Sequence, residues 1–128
     1  MVMITQAPLD PGKLFDELCK QGSGSVLFHY ALVKGRIGGT LSSGILFERN
    51  GDMEAELSEI CSDVKSRWHI DDMVLVRRIG MLKIGEVISL IAVSAEASSD
   101  AFEACRYGLN RMKKMTSLKK TEMVEAGA

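Results

Sequence analysis

Apolar and polar positions along the chain follow a helical period in three segments. The clearest helix is predicted from Met53 to Trp68, where apolar residues recur every three to four positions, acidic residues occupy the first turns and basic residues the last. A shorter helix is predicted to begin at Asp10-Pro11-Gly12, a typical helix-start signal. A third is predicted after Ser98 or Ser99, either of which we expect to cap it. The buried stripe of this last helix is predicted to be Phe102, Cys105, Leu109 and Met112.

Four segments rich in branched and aromatic residues predict β-strands. The first two run from Gly24 to Lys34 and from Leu41 to Arg49, and the Gly-rich turn between them lacks the lysine spacing of a phosphate loop, which favours a hairpin connection. The other two run from Met73 to Ile79 and from Gly85 to Ala95, and the last is apolar on both faces, as expected for a central strand. The order of elements predicts an α+β fold with helices packed on a mostly antiparallel sheet.

Length and composition predict one globular domain. The chain has 128 residues, of which 46% are hydrophobic and 26% charged, so we assign residues 1–128 to a single domain, with 1–9 as an N-terminal extension and 121–128 as a C-terminal tail. The longest strongly apolar run, Val87 to Ala95, is about half of the roughly 20 residues that a membrane-spanning helix needs. Residues 1–9 carry no basic side chain, so we also expect no secretory signal.

The cysteines and histidines show no arrangement typical of a metal or nucleophilic site. Cys19, Cys61 and Cys105 are odd in number and far apart, so neither a disulfide framework nor a metal-ligand pair is predicted, and we expect a reducing cytoplasm. His29 lies in an apolar strand and His69 at a helix end, and structural roles are expected for both. No metal and no cofactor are predicted.

Positive charge is concentrated near the end of the chain. Five of the sixteen basic residues lie between Arg111 and Lys120, which leaves eleven against seventeen acidic residues elsewhere, although the formal net charge is only −1. This segment is either an anion site or a solvated helix end that the helix dipole favours. Lys113 and Lys120 are seven residues apart, so they would share one side of a helix that persisted for two turns. They could then bind a phosphate or transfer a proton, and the residues alone leave both roles open.

Several stretches occur in the order and spacing of a known family. They are the run from Arg78 to Glu86, then Ala92-Val93-Ser94-Ala95 and the run from Ala101 to Tyr107, with weaker matches at Phe47-Glu48 and in the Lys-rich segment that ends at Glu122. On these residues the chain resembles the catalytic, large subunit of molybdopterin synthase, from about residue 24 to residue 122.

The resemblance implies a fold, partners and an activity. The implied fold is an α/β-hammerhead with a small extra β subdomain, assembled as a homodimer. Each protomer would bind a small ubiquitin-like sulfur carrier, giving a heterotetramer, and the carrier's C-terminal Gly-Gly thiocarboxylate would enter the active site. The implied reaction transfers sulfur to cyclic pyranopterin monophosphate and forms the dithiolene of molybdopterin, with two sulfur atoms needed for each product.

The resemblance also assigns roles to four residues. Lys113 and Lys120 match the two lysines regarded in the family as catalytic or substrate-binding. Lys34 stands where the family usually has an arginine that contacts substrate, and this exchange keeps the charge but not the planar guanidinium. Glu122 matches the acid that ends the family motif, so we expect it to bind substrate.

The chain departs from the family pattern in two places, and the first suggests alternative functions. Glu96-Ala97-Ser98 stands where the family has Pro-His-Arg, so Ala97 and Ser98 replace a histidine and an arginine of the family site. Ser117-Leu118-Lys119-Lys120 stands in place of Pro-Ile-Trp-Lys. One alternative is a catalytically impaired member that binds the carrier or regulates the pathway. Another is an unrelated anion-binding enzyme that uses Glu96 as an acid or base.

Overall fold

A computed structural model describes residues 1–124 and contains helices on both faces of a main sheet, with a second, smaller sheet beside it. In the described part of the chain, no helix has both the length and the apolar character needed to cross a membrane. The helices are α1 (Pro11–Glu17), α2 (Met53–Arg67) and α3 (Ser98–Lys113). The strands are β1 (Val2–Thr5), β2 (Ser25–Leu32), β3 (Arg36–Ile37), β4 (Thr40–Arg49), β5 (Asp72–Arg78), β6 (Gly80–Leu82), β7 (Val87–Ala95) and β8 (Leu118–Val124).

The main sheet has four strands in the order β1-β5-β7-β2. Strands β5 and β2 each pair antiparallel with β7, whereas β1 is parallel to β5. Helices α2 and α3 pack on one face of the sheet, and α1 packs on the other through Leu14 and Leu18. Because both faces are covered, almost all of β7 is buried, as predicted for the central strand. The predicted α+β class is confirmed.

The second sheet corresponds to the small extra β subdomain that the resemblance implied. Strand β4 is its centre and pairs antiparallel with β3, β6 and β8. Phe47, Leu82 and Ile88 form a separate small core beneath it. The turn between β3 and β4 is formed by Gly38 and Gly39, whose φ angles of 55° and 85° suit a tight hairpin. This hairpin joins β4 to the short strand β3 and not, as the sequence indicated, to β2, which lies in the main sheet.

The structure differs from the predicted boundaries at both ends of the chain. The segment 1–9, expected to be an extension, contains β1, whose Val2 pairs with Leu75 in the main sheet. Of the expected tail 121–128, residues 121–124 belong to β8, and 125–128 lie outside the described residues. Strand pairing is non-local, so a four-residue apolar segment gives no sign in the sequence of the strand that it will join.

Helix α3 also differs from its prediction. Its N-cap is Ala97, which makes no side-chain hydrogen bond, so Ser98 and Ser99 do not cap it. Phe102 is 58% exposed, and the buried residues are mostly small, with Gly108 and Ala104 among them. Small residues let the helix lie close to the sheet: a Cβ atom on Gly108 would come within 3.0 Å of the Met73 side chain. The large aromatic residue of the predicted stripe therefore faces outward.

The end of α3 decides where the basic segment lies. The helix stops at Lys113, and the backbone N–H of Lys114 donates to the carbonyls of Arg111 and Met112. After a short link the chain returns as β8, antiparallel to β4. Lys113 and Lys120 therefore lie on a helix and a strand, and the condition for a shared helix side, a helix that persists for two turns beyond Lys113, is not met.

Candidate active site

A cavity of about 490 Å³ lies where the end of α3 meets both sheets. Its lining comes from four parts of the chain: the main sheet, the segment after β2, the last turn of α3 and the small sheet. The structure brings the four residues singled out from the sequence into this one cavity. They are Lys34, Lys113, Lys120 and Glu122.

The main sheet forms the floor of the cavity through residues that are adjacent across three strands. Arg77 on β5 pairs with Ser89 on β7, and Ser89 pairs with Ala31 on β2. His29 lies two residues before Ala31, so it shares the same face of the sheet. All four line the cavity, next to Leu109 in the last turns of α3. The antiparallel register therefore places a guanidinium, an imidazole and the Ser89 hydroxyl on the floor beside apolar residues.

The small sheet forms one wall, and its register sets which residues of β8 face the cavity. Lys120 pairs with Phe47 and Glu122 with Ile45. Because side chains alternate along a strand, Lys120 and Glu122 share the cavity face while Lys119 points away. The Lys120 Nζ lies 3.0 Å from the Glu122 Oε1, and both side chains are partly exposed. They form an ion pair at the rim of the cavity.

The two remaining lysines of the site are not neutralised. Lys113 ends α3 and Lys34 follows β2, and both are exposed. Within residues 1–124, neither forms an ion pair. Both ammonium groups are therefore available to an anionic ligand.

The other cations of the basic segment do not belong to the cavity. The Arg111 guanidinium lies 2.6 Å from the Asp63 carboxylate and contacts the Tyr107 hydroxyl on another face of the molecule. Lys114 and Lys119 are exposed and do not line the cavity. Only two of the segment's five cations therefore face the site, and the other three have structural or solvated positions.

Arg77 lines the cavity, although it was not predicted from the sequence as a site residue. The residue is only 8% exposed, and its Nε is buried with no hydrogen-bond partner in residues 1–124. The guanidinium carbon lies 5.0 Å from the centre of the Phe47 ring. Burial lowers the pKa of Arg77 to about 10, so the group remains charged at neutral pH. The sign in the sequence was a pair of arginines at the end of an otherwise apolar strand.

His29 is the second missed residue. Its Nδ1 atom is buried and has no hydrogen-bond partner among the described residues. The sequence alone favours a structural role, because the residue lies in an apolar strand. A buried ring nitrogen with no partner does not fit a fully satisfied structural histidine, and it leaves this atom free to accept or donate inside the cavity.

The charges around the cavity favour an anionic ligand. Four cationic side chains, Lys34, Arg77, Lys113 and Lys120, line it together with one carboxylate, Glu122. Phosphate and carboxylate groups bind such clusters through charge-assisted hydrogen bonds, which strengthen as water is excluded. Across residues 1–124, no group of three or more His, Cys, Asp or Glu side chains is placed to hold a metal ion.

Residues that replace the family's Pro-His-Arg lie away from this cavity. Glu96 is exposed and follows the last residue of β7, whereas Ile88 and Ser89, near the first, line the cavity. Ala97 and Ser98 are at the start of α3, and Lys113 is at its other end, about 24 Å away for a helix of this length. The hypothesis that Glu96 serves this cavity as an acid or base is therefore wrong within one protomer.

A carboxylate on α2 holds the link between α3 and β8 in place. The Glu56 Oε2 accepts from the Thr116 N–H at 3.1 Å, and its Oε1 accepts from the Ser117 N–H at 3.0 Å and from the Ser117 hydroxyl. Ser117 stands where the family pattern has a proline. In this chain, Glu56 therefore fixes the position at which β8 begins. The position of Lys120 on β8 depends on that start.

We expect Glu56→Gln to destabilise the protein by about 1.5 kcal/mol at pH 7, because one of the accepting oxygens becomes an NH₂ group that faces N–H donors. Burial raises the pKa of Glu56, but the hydrogen bonds from Ser117 and Thr116 outweigh it, and the net pKa is lowered. The carboxylate therefore makes its full contribution to the free energy of unfolding above the usual glutamate pKa. This contribution is lost as the pH falls through the lowered pKa of Glu56 in the folded state.

Urea unfolding at a series of pH values measures this difference. The stability gap between the original chain and Glu56→Gln should shrink in acid, because protonated Glu56 resembles Gln. Glu59→Gln, on an exposed part of the same helix, is the matched control and should change little. A gap that stayed constant down to acidic pH would contradict the role of the Glu56 charge.

The chain is similar in sequence to proteins of one known family. The sequence profile of the family described as "MoaE protein" matches residues 4–115. The molybdopterin synthase catalytic subunit of Thermoplasma volcanium is 26% identical over 127 residues, which cover 98% of this chain and 93% of the relative.

Solved structures agree with the fold. The crystal structure of molybdopterin synthase from Staphylococcus aureus superposes with a TM-score of 0.89 at 26% identity, covering 97% of this chain and 91% of that one. A protein complex of subunits 1 and 2 of the molybdopterin-converting factor from Helicobacter pylori gives a TM-score of 0.75 at 17% identity, with 97% and 85% covered. At that identity, the second match supports the fold alone.

Proposed function

The chain belongs to the MoaE protein family, and we propose that its basic cavity is the place where cyclic pyranopterin monophosphate receives sulfur from a carrier protein. The function of the chain is that of a molybdopterin synthase catalytic subunit in molybdenum cofactor biosynthesis, as its sequence predicts. The alternative of an impaired, carrier-binding family member is not favoured by these relatives.

The proposed roles of the site residues follow from their positions. Lys113 and Lys120 face the same cavity from α3 and β8, so together they can hold an anionic reactant and move a proton during sulfur transfer. Lys34 approaches from the segment after β2 and binds the phosphate of the pterin. Glu122 keeps Lys120 oriented through their ion pair and contacts the substrate.

The proposed partner is a small ubiquitin-like sulfur carrier whose Gly-Gly tail ends in a thiocarboxylate. Sulfur transfer breaks the bond between its carbonyl carbon and sulfur, and water supplies the oxygen that restores a carboxylate. We place the tail in the same cavity because its terminus is anionic. The Helicobacter pylori complex of two converting-factor subunits, which shares this fold, supports such pairing. A homodimer of the chain that binds two carriers would give a heterotetramer.

One observation carries the proposal: Lys34, Lys113 and Lys120, which are up to 86 positions apart in the sequence, converge on one cavity. Surface lysines repel one another, so such convergence is typical of a site that binds anions.

The test is a reconstituted assay with the chain, a thiocarboxylated carrier and cyclic pyranopterin monophosphate. We expect dithiolene to form in proportion to the carrier supplied, with two carrier molecules consumed for each product. A carrier ending in an ordinary carboxylate is the control and should give none. Lack of product, under conditions where another molybdopterin synthase turns over, would refute the proposed reaction.

A further inference from the structure

Arg77 is unusual because it is a buried cation with no hydrogen-bonding or acidic partner among the described residues. Its neighbour Arg78 is equally buried but lies 3.2 Å from the Glu86 carboxylate and donates to the carbonyl of Gln6. Arg77 makes no ion pair and no side-chain hydrogen bond with any residue of the range 1–124. The Phe47 ring lies against it in a cation-π contact.

A buried guanidinium without an acidic partner lowers the stability of the folded protein when no ligand is bound. A buried charge loses its hydration, and an arginine cannot remove its charge by releasing a proton at neutral pH. The contact with Phe47 offsets a small part of this loss. Such a group is typical of a functional site, where a ligand supplies the missing partner. The Arg77 side chain lines the basic cavity.

We infer that Arg77 is the phosphate-binding residue at the floor of the cavity and that a phosphate group of a small organic substrate supplies its missing partner. This inference deepens the proposed function, on which the choice of a phosphorylated substrate rests. The planar guanidinium presents parallel N–H donors to two phosphate oxygens, which the single ammonium of Lys34 cannot do. Lys34 then approaches the same anion from the rim, and Arg77 fixes its orientation from below.

The surroundings of Arg77 agree with this assignment. Ser89, its register partner on β7, and His29 line the same floor, and the His29 Nδ1 also lacks a partner. Two of the three buried polar side-chain atoms without partners in the described residues therefore belong to one cavity. Such atoms are rare in folded proteins, and their grouping marks a place prepared for a polar ligand.

The first test measures thermal unfolding with and without inorganic phosphate. Saturating phosphate should raise the midpoint of the original chain by several degrees. In Arg77→Met, this rise should disappear, while the midpoint without phosphate stays equal or increases because an unpaired buried charge has been removed. A purely structural arginine predicts the reverse: a lower midpoint without phosphate and an unchanged phosphate effect. Either of those results would overturn the inference.

Two further variants complete this test. Arg77→Lys keeps the charge but loses the planar donors, so it should retain only part of the rise in midpoint caused by phosphate. If the methionine variant fails to fold, the lysine variant replaces it in the test. Arg106→Met, at an exposed position on α3 outside the cavity, is the matched control and should respond to phosphate like the original chain.

A third arm separates phosphate from the carboxylate of the carrier tail. A short peptide ending in Gly-Gly with a free carboxylate replaces phosphate in the same measurement. Stabilisation by the peptide should be retained in Arg77→Met. If only the peptide effect were lost, Arg77 would bind the tail and the phosphate assignment would be wrong.

The assay of sulfur transfer distinguishes this inference from the proposed function. We expect Arg77→Met to raise the KM for the pterin phosphate on the order of tenfold to a hundredfold, with a smaller change in kcat. Product formation with an unchanged KM would overturn the inference and leave the proposed function intact. Arg77-dependent phosphate binding in a chain that forms no dithiolene would support the inference and refute the proposed reaction.

Discussion

Replacing Lys113 with alanine should lower the rate of dithiolene formation by at least about a hundredfold while leaving the fold intact. Lys113 is the last residue of α3, is exposed into the cavity and has no acidic partner in the described chain, so its ammonium is free to meet the reacting groups. Its removal deletes a charge and a proton carrier without disturbing the buried core. The measurement is the initial rate in the reconstituted assay, with circular dichroism to verify folding.

Neighbouring lysines provide matched controls for this prediction. Lys114 adjoins Lys113 but does not line the cavity, and Lys119 stands in the same relation to Lys120. Alanine at Lys114 or Lys119 removes the same charge from the same segment and should change the rate less than about twofold. Alanine at Lys120 should also impair the reaction.

A conservative variant separates the two roles that the sequence left open for Lys113. Lys113→Arg keeps the positive charge, but arginine does not release its proton near neutral pH, so it can bind an anion without transferring a proton. Recovery of activity would indicate anion binding, and continued loss would indicate proton transfer. Undiminished activity in Lys113→Ala would refute both roles.

Replacing Gly44 with alanine should reduce the free energy of unfolding by on the order of 2 to 4 kcal/mol. Gly44 lies in β4 with a φ angle of +141°, which residues with a Cβ rarely adopt. An added Cβ would lie 2.5 Å from the Leu82 carbonyl oxygen of β6, so a backbone atom would have to move. The displacement would disturb the wall that carries Lys120, and catalysis should fall together with stability.

Urea unfolding measures this loss, and Ser43→Ala is its control. Ser43 is exposed in the same strand and has an ordinary backbone conformation, so its alanine variant should lie within about 0.5 kcal/mol of the original chain. A Gly44→Ala variant as stable as Ser43→Ala would show that β6 can move without a loss of stability. The close approach of the two strands would then have no structural importance.

Local patterns in the sequence sufficed for the long helix and the central strands. Helix α2 was predicted from Met53 to Trp68 and extends from Met53 to Arg67, because its period and its charged ends all lie within one segment. The same holds for β7, whose apolar character on both faces marked it as central. The Asp10 cap of α1 was also predicted, and the Asp10 carboxylate accepts from the backbone N–H groups of Gly12 and Lys13.

Elements that depend on distant partners were not predicted. Strands β1, β6 and β8 are short or polar, and each becomes a strand because another strand offers it hydrogen bonds. The sequence carries little sign of such pairing, because the partner lies tens of residues away. Strand β8 is the important case, since its alternation, and not a helical repeat, turns Lys120 and Glu122 toward the cavity.

By itself, the sequence determined the α+β class, the main helices and central strands, and the family, because propensity, period and motif are local properties of the chain. It also predicted four site residues, which line one cavity. Tertiary structure alone decided that Lys113 and Lys120 meet from a helix and a strand, and that Arg77 lies at the cavity floor without an acidic partner in the described part of the chain. Burial and charge pairing depend on groups that folding brings together from distant parts of the chain, so no local pattern could show that one arginine of a pair is neutralised and the other is left for a ligand.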